Sequence, residues 1–510
     1  MRKIYPLTWA LIAISAMARP QSPALPKTVV QGNPSGIFGQ YISDAMKLWK
    51  APGLSVVVVK DGRMVFKQGF GVTELGKPGP FTSGTLAICA STTKAMTAVC
   101  MGMLVDEGKL KWTDKLKDIY PEFRVYDPYV SAELTVRDLF THNAGLGNAD
   151  GLWVYGYSRE EILHRMRLIK PAYAYHDSFI YQNLMYLVAG ELIHHISGQS
   201  WEDFISQRLF RELGMNHTYP GYSYSLQESS HETPHFIVRD SVRPIPLIDY
   251  PSVGPAGGVW SCADDMEKWM LFLLDSATTS SRKRLITAAT YREIFKPQTM
   301  VTAEQFYPTM LLTKPHWTTY GLGWFQEDYR GRMVQFHTGS LDGAVAIIGL
   351  IPTEHFGIYI FGNLDHVELR HALMYKAMDL YCFRDNGRDW SRDMFSLYQS
   401  LKDTARKKQT EEAARRVMGT RPSLPLASYA GHYSNEVYGD ADILMEGDSL
   451  SMKLPNNISF KLRHWNFDSF VGYCNHAWWD QSFVKFTLDG EGKIAQFDMD
   501  GQVYLSATKK

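Results

Sequence analysis

The chain lacks an excess of either charge: its 510 residues hold 53 Lys+Arg against 53 Asp+Glu. That balance leaves no electrostatic footprint for nucleic acid, and no long basic run suits an anionic membrane surface. Cysteine is scarce and scattered. Cys89, Cys100, Cys262, Cys382 and Cys474 form no C-x-x-C pair and no metal-ligand spacing, so they read mostly as buried core residues, with at least one free thiol in an exported protein. Past the N-terminus no apolar run approaches the ~20 residues that span a bilayer. Internal repeats and low-complexity tracts are also missing. What remains is an ordinary globular composition, 45% apolar and 21% charged, whose partners are small molecules or short peptides.

The N-terminus pairs Arg2 and Lys3 with a short apolar run and then Ala16-Met17-Ala18. This is the layout of a secretory signal peptide over residues 1–18, too short to cross a membrane, and it predicts a soluble periplasmic or extracellular protein. Next, L-S-V-V-V-V-K-D-G-R-M-V-F-K (54–67) predicts two strands around an Asp61-Gly62 turn. Helical periodicity dominates up to about residue 215, including 94–107 and 183–198. Strand patterns return at 332–337, 344–350 and 357–362. A sheet gathering both ends of this segment around a helical middle is an α+β domain. From Trp390 an amphipathic helix with Met394, Leu397 and Leu401 on one face predicts a connector, broken at Pro422 and Pro425. The alternating remainder predicts a small all-β domain, a barrel or a sandwich. The expected divisions are 19–384, a helical linker 385–424, and 425–510.

One stretch points to chemistry. In A-S-T-T-K (90–94), Ser91 and Lys94 stand three apart at the start of an apolar helix, so the amine can lie beside the hydroxyl and activate it. The plainer alternative is a Ser or Thr helix cap with the lysine in solvent. The spacing recurs at Ser280/Lys283, Ser482/Lys485 and Ser506/Lys509, so the tetrapeptide alone leaves both readings open. A nucleophilic serine also needs a base, a group to hold that base and donors for an oxyanion. Downstream, Tyr181-Gln182-Asn183 opens a helix and His337-Thr338-Gly339-Ser340 ends a strand. A second Y-x-N, Tyr433-Ser434-Asn435, falls in the appended β-region, after the third motif, and is set aside.

The ordered set S-x-x-K, Y-x-N, H-T-G resembles the active-site triplet of the penicillin-recognising serine hydrolases, in the class C β-lactamase-related branch, over roughly residues 35–383. L-T-V-R-D-L-F-T-H-N-A-G-L (134–146) and G-P-A-G-G-V-W-S-C-A-D-D-M-E-K-W (254–269) are similar to further stretches of that family. The resemblance implies a β-lactamase/transpeptidase-like domain with an acyl-enzyme on Ser91 and proton transfers by Lys94 and Tyr181. Asn183 would contact the acyl group and orient Lys94. The amides of Ser91 and Ser340 would hold the oxyanion, and His337, Thr338 and Gly339 would line the substrate. No metal or organic cofactor is expected. His142, in T-H-N-A-G-L, reads as satisfying a turn.

The departure from the family pattern is His337, which stands where true class C β-lactamases carry a lysine. A histidine is mostly neutral at pH 7 and holds a β-lactam carboxylate poorly. Members of the branch that carry His-x-Gly here are mainly esterases, amidases and D-amino-acid peptidases, so the resemblance ranks these ahead of β-lactamase. An acyltransferase using an alcohol or amine acceptor, and a slow-turnover acyl-binding sensor, stay as alternatives, and oligomer formation is left open. The C-terminal region, with S-Y-A-G-H-Y at 428–433, resembles the lipocalin-like barrel appended to some relatives. Trp465, Trp478 and Trp479 read either as its core or as a ligand surface.

Overall fold

The structure, a computed structural model, describes residues 33–507; the leader expected at 1–18 lies outside them. The hairpin forms as the turn residues dictate. Asp61 and Gly62 both take positive φ, 51° and 76°, the two-residue geometry that matches strand twist, and join Gly53–Lys60 to Arg63–Gly71. Gly53–Lys60 then pairs with Phe356–Gly362, Leu54 opposite Gly362, so the first strand meets the last one of the sheet. The eight antiparallel strands run in the order 63–71, 53–60, 356–362, 344–351, 332–341, 325–329, 318–320, 299–300.

The run Val56–Val59 shows why this sheet lies in the middle of the domain. Val57 and Val59 enter one core, with the helices Thr93–Asp106, Asn183–Ser197 and Ala263–Leu274, while Val56 and Val58 enter a second core with Pro34–Trp49 and Leu369–Cys382. A strand covered on both faces needs an unbroken apolar run rather than alternation. Thr93–Asp106 is buried almost all round, including Lys94, and passes through the larger core.

The connector helix is Trp390–Ala414. Its first turns are anchored by buried Trp390, whose indole N–H donates to Asp379 Oδ2 at 2.7 Å, and by Met394; the remainder is mostly exposed. Eight further strands, from Gly431–Asn435 to Gln502–Ser506, close into an antiparallel barrel when Tyr433 pairs with Ser506. Tyr429, Tyr433, Phe460, Phe486, Phe497 and Tyr504 fill its interior. Of the three tryptophans, Trp479 is buried with this core and Trp478 packs against it. Trp465 instead lies under the Arg416 guanidinium, 4.8 Å from the ring centre. Cys89, Cys100 and Cys262 are buried, Cys382 and Cys474 half-buried, and all five are free thiols.

The barrel rests on the larger domain through the hairpin at 435–439 and through Asn456, whose side chain donates to Val154 O at 3.0 Å, while Tyr155 packs into the barrel core. Arg165 donates to the carbonyls of Glu436 and Val437 at 3.2 and 3.0 Å, and Tyr157 Oη donates to that of Tyr438 at 3.0 Å. Gly151 gives the Tyr438 ring its seat: a Cβ there would stand 3.0 Å from the ring carbon Cε1.

Candidate active site

Ser91 lies in a single 3-10 turn, Ala90–Thr92, that runs directly into Thr93–Asp106. Ala90 is held at φ 45°, a left-handed conformation that costs a non-glycine residue on the order of 1–3 kcal/mol and turns the chain sharply before Ser91. The strand Arg332–Leu341 lies against this turn. Its neighbour Phe325–Tyr329 stops pairing at Phe336, so from His337 onward that edge is left to the Ser91 turn. Gly339 makes the approach possible: a Cβ there would sit 2.2 Å from Cys89 O and 3.1 Å from Ser91 N.

The helix start expected at Asn183 has a division of labour the sequence did not reveal. Gln182, not Asn183, caps Asn183–Ser197, its side chain accepting from Leu184 N. Asn183 is thereby free to bridge. Its amide nitrogen faces both oxygens of Asp150 at 3.1 Å, which fixes the side-chain orientation and aims Oδ1 at Lys94.

Lys94 Nζ has three oxygen neighbours: Ser91 Oγ at 3.0 Å, Asn183 Oδ1 at 2.7 Å and Ala256 O at 2.8 Å. Two of these can only accept. An ammonium can donate to all three oxygens, whereas a neutral amine, with two N–H groups and one lone pair, can donate to Asn183 and Ala256 and accept the Ser91 proton. Burial favours that form: it pushes Lys94 well below the ordinary lysine range, against the opposing charge of Asp150. Tyr181 moves the other way. Its phenol is buried, and burial raises its pKa well above 10, with hydrogen bonding from the Ser91 hydroxyl opposing. The amine lies 4.9 Å from the centre of the Tyr181 ring.

The remaining motif residues are placed unequally. Thr338 Oγ1 is 2.5 Å from Tyr307 Oη, and Ser340 Oγ accepts from Arg370 at 2.9 Å. His337, expected to line the substrate, is instead buried: Nε2 is 2.9 Å from Tyr320 Oη and Nδ1 2.6 Å from the Thr338 carbonyl oxygen. Burial, the largest cause, pushes its pKa down to about 3, so the ring is neutral. His142 serves its turn as read, Nδ1 accepting from Gln182 N at 3.0 Å, yet its ring also packs 4.4 Å from that of Tyr181. Cys89 is sealed off, its thiol pushed up to about 12 by burial. Among the described residues no group of three or more His, Cys, Asp or Glu could hold a metal ion.

Residues 38–382 match the Beta-lactamase family model. The chain belongs to the beta-lactamase family. Residues 415–509 match a domain of unknown function, DUF3471. The unguisins hydrolase of Aspergillus violaceofuscus is 26% identical over 462 residues, spanning 81% of this chain and 76% of that one. Two solved structures share the fold. The octameric penicillin-binding protein homologue from Pyrococcus abyssi matches at TM-score 0.60 and 19% identity, covering 92% of this chain and 99% of its own. The class C beta lactamase from Rhodobacter sphaeroides matches at TM-score 0.54 and 18% identity, covering 68% and 99%. The chain is accordingly a hydrolase of the beta-lactamase family with a barrel appended.

Three contributors to this family site carry no sequence signal of their own. Asp150 is held by Asn183, by the Trp153 indole N–H at 2.8 Å and by Asn148 at 3.0 Å. Tyr307 reaches Thr338 from an irregular segment. Arg370 ties the strand from behind through Ser340 Oγ, the Gly339 carbonyl and Ala346 O at 3.3 Å, and is itself paired with Glu368 at 3.1 Å. Burial raises Glu368, but Arg370 and His371 outweigh it and hold the carboxyl well below the usual range.

Proposed function

We propose that the protein is an exported serine hydrolase that forms an acyl-enzyme on Ser91 from an ester or amide, a short peptide or a D-amino-acid derivative. The observation that carries this is the triple contact of Lys94, a buried amine 3.0 Å from Ser91 Oγ that burial drives towards its neutral, proton-accepting form. Lys94 takes the Ser91 proton as Oγ attacks the carbonyl carbon. Tyr181, kept protonated by burial, delivers a proton to the leaving oxygen or nitrogen as its bond to carbon breaks, and recovers one from Lys94. The Ser91 and Ser340 amides face the developing oxyanion. Water then attacks the acyl-ester carbonyl as Lys94 takes its proton, the bond from the acyl carbon to Ser91 Oγ breaks to release the acid, and that proton returns to Oγ.

Neutral, buried His337 supplies no cation for a β-lactam carboxylate, which supports placing β-lactams below small esters and peptides. The likeness to an unguisins hydrolase supports hydrolysis as the outcome. The leader sequence supports export. Intact mass after exposure to a fluorophosphonate, beside a Ser91→Ala control, tests the assignment. One adduct that disappears in the control is expected. A folded wild-type protein that takes no label, or a control that still labels, removes Ser91 from this role.

A further inference from the structure

Beyond Ser340 the strand leads into a cavity of ≈ 30 Å³ that the reading of Ser91 does not use. Its size is about that of one water or one ammonium group. Gly257 forms part of its wall and abuts Ala90, its missing Cβ 3.5 Å from the Ala90 carbonyl carbon, so the cavity lies directly beside the Ser91 turn. Three carboxylates line it, Glu232, Asp249 and Asp342, together with the rings of Tyr250 and Trp260. Among the described residues no lysine, arginine or histidine does. Asp249 is exposed, at the mouth; Glu232 is 3% exposed, at the bottom.

Glu232 is the informative group. Oε1 accepts from Ile88 N at 2.9 Å, while Oε2 is buried with no hydrogen-bonding partner. An orphaned carboxyl oxygen in a closed site costs about 1–3 kcal/mol or more, so its persistence there calls for a partner that arrives from outside. Three carboxylates and two aromatic rings with no basic side chain among the lining residues make an environment that favours a cation and rejects an anion. Burial pushes the Glu232 carboxyl up to about 8, so it keeps its proton while nothing faces it; an entering positive charge would reverse that balance. The barrel's His476 is near enough to Asp342 to feel its charge, but burial lowers its pKa, so it brings little competing cation.

We infer that this cavity is a subsite for a primary ammonium at the end of a short aliphatic chain on the acyl portion of the substrate, with Glu232 as its counter-ion. The inference rests on the reading of Ser91 as the acylated residue. Placement on the acyl side follows from the chain: Leu341 and Asp342, which line the cavity, directly follow Ser340, whose amide would hold the acyl carbonyl oxygen. Ile88, which holds Glu232, is three residues from Ser91, a reach of roughly 10 Å at most, so a chain of about five carbons suits the gap.

The test compares kcat/KM for 4-nitrophenyl 6-aminohexanoate with that for the isosteric heptanoate. A preference of at least tenfold for the cationic ester, falling towards one in Glu232→Gln, is expected; glutamine keeps the acceptor for Ile88 N–H. Equal rates on the wild-type protein overturn the inference while leaving acylation of Ser91 in place. If neither ester reacts, equilibrium binding of pentylammonium to Ser91→Ala protein decides the matter independently of catalysis. Binding that weakens in Glu232→Gln and in the surface variant Asp249→Asn supports the subsite. No binding, a cavity that holds water only, overturns it.

Discussion

The tripeptide Y-x-N occurs twice, and the two asparagines do different work. Asn183 is fixed between Asp150 and Lys94, its side chain reading a carboxylate on one side and an amine on the other. Asn435 sits in the barrel hairpin, where Oδ1 accepts from the amides of Val437 and Tyr438 at 2.8 and 2.7 Å and Nδ2 donates to Val503 O at 2.7 Å. One holds a titratable group; the other shapes a turn. The letters are identical, and the difference comes from what the fold brings opposite them. Yet the second asparagine is not remote from the first. The hairpin it shapes is the one whose Tyr438 seats on Gly151, next to Asp150.

The largest break in this comparison comes from removing what Asn183 serves. Lys94→Met is expected to lower kcat/KM by roughly 10²–10⁴, the usual worth of a positioned base, with the fold intact by circular dichroism. Retention of activity would transfer the base to another group. The asparagines themselves should dissociate. Asn183→Ala should cost roughly 10–100-fold in kcat/KM, as for a lost hydrogen bond to a charged or reacting group, with a smaller effect on stability. Asn435→Ala should do the reverse, lowering stability by about 1–2 kcal/mol in urea titration and activity only a few-fold. Equal effects in both assays would mean that the two motifs are not functionally distinct.

The smallest effect is a displacement of the pH profile. With neutral Lys94 as base, kcat/KM rises as pH rises through the Lys94 pKa, which burial places below the ordinary lysine range. The Asp150 carboxylate favours the ammonium and so raises that pKa. Asp150→Asn removes the favouring charge, and the acid limb should move to lower pH. A limb that moves upward or stays in place would disconnect Asp150 from Lys94.

The fold and the triplet were readable because short-range rules govern them. The Asp61-Gly62 turn, the all-apolar run of Val56–Val59 and the amphipathic start of Trp390–Ala414 each follow from a few adjacent residues. So does the S-x-x-K spacing on a helix. The three short strands at 299–300, 318–320 and 325–329 were not read, because so few residues give no period to detect. Asp150, Tyr307 and Arg370 were unreadable for another reason: each acts through a partner distant in the chain, Asn183, Thr338 and Ser340 respectively. His337 shows the remaining gap. Its identity was informative about charge, but only the packing of Tyr320 and Phe325 around it reveals that the ring faces inward.

The pairing of Leu54 with Gly362 also has a bearing on how the protein is made. A ribosome releases Ser91 and Lys94 early, but Ser340 and the arginine that steadies it follow only after most of the hydrolase domain has emerged, and the strand Gly53–Lys60 must wait for Phe356–Gly362, its partner on the side away from the hairpin. Long-range pairing of this kind is slow to form and late to complete. The nascent chain therefore carries Ser91 for most of synthesis without the second wall of its surroundings, a built-in delay between making that serine and enclosing it.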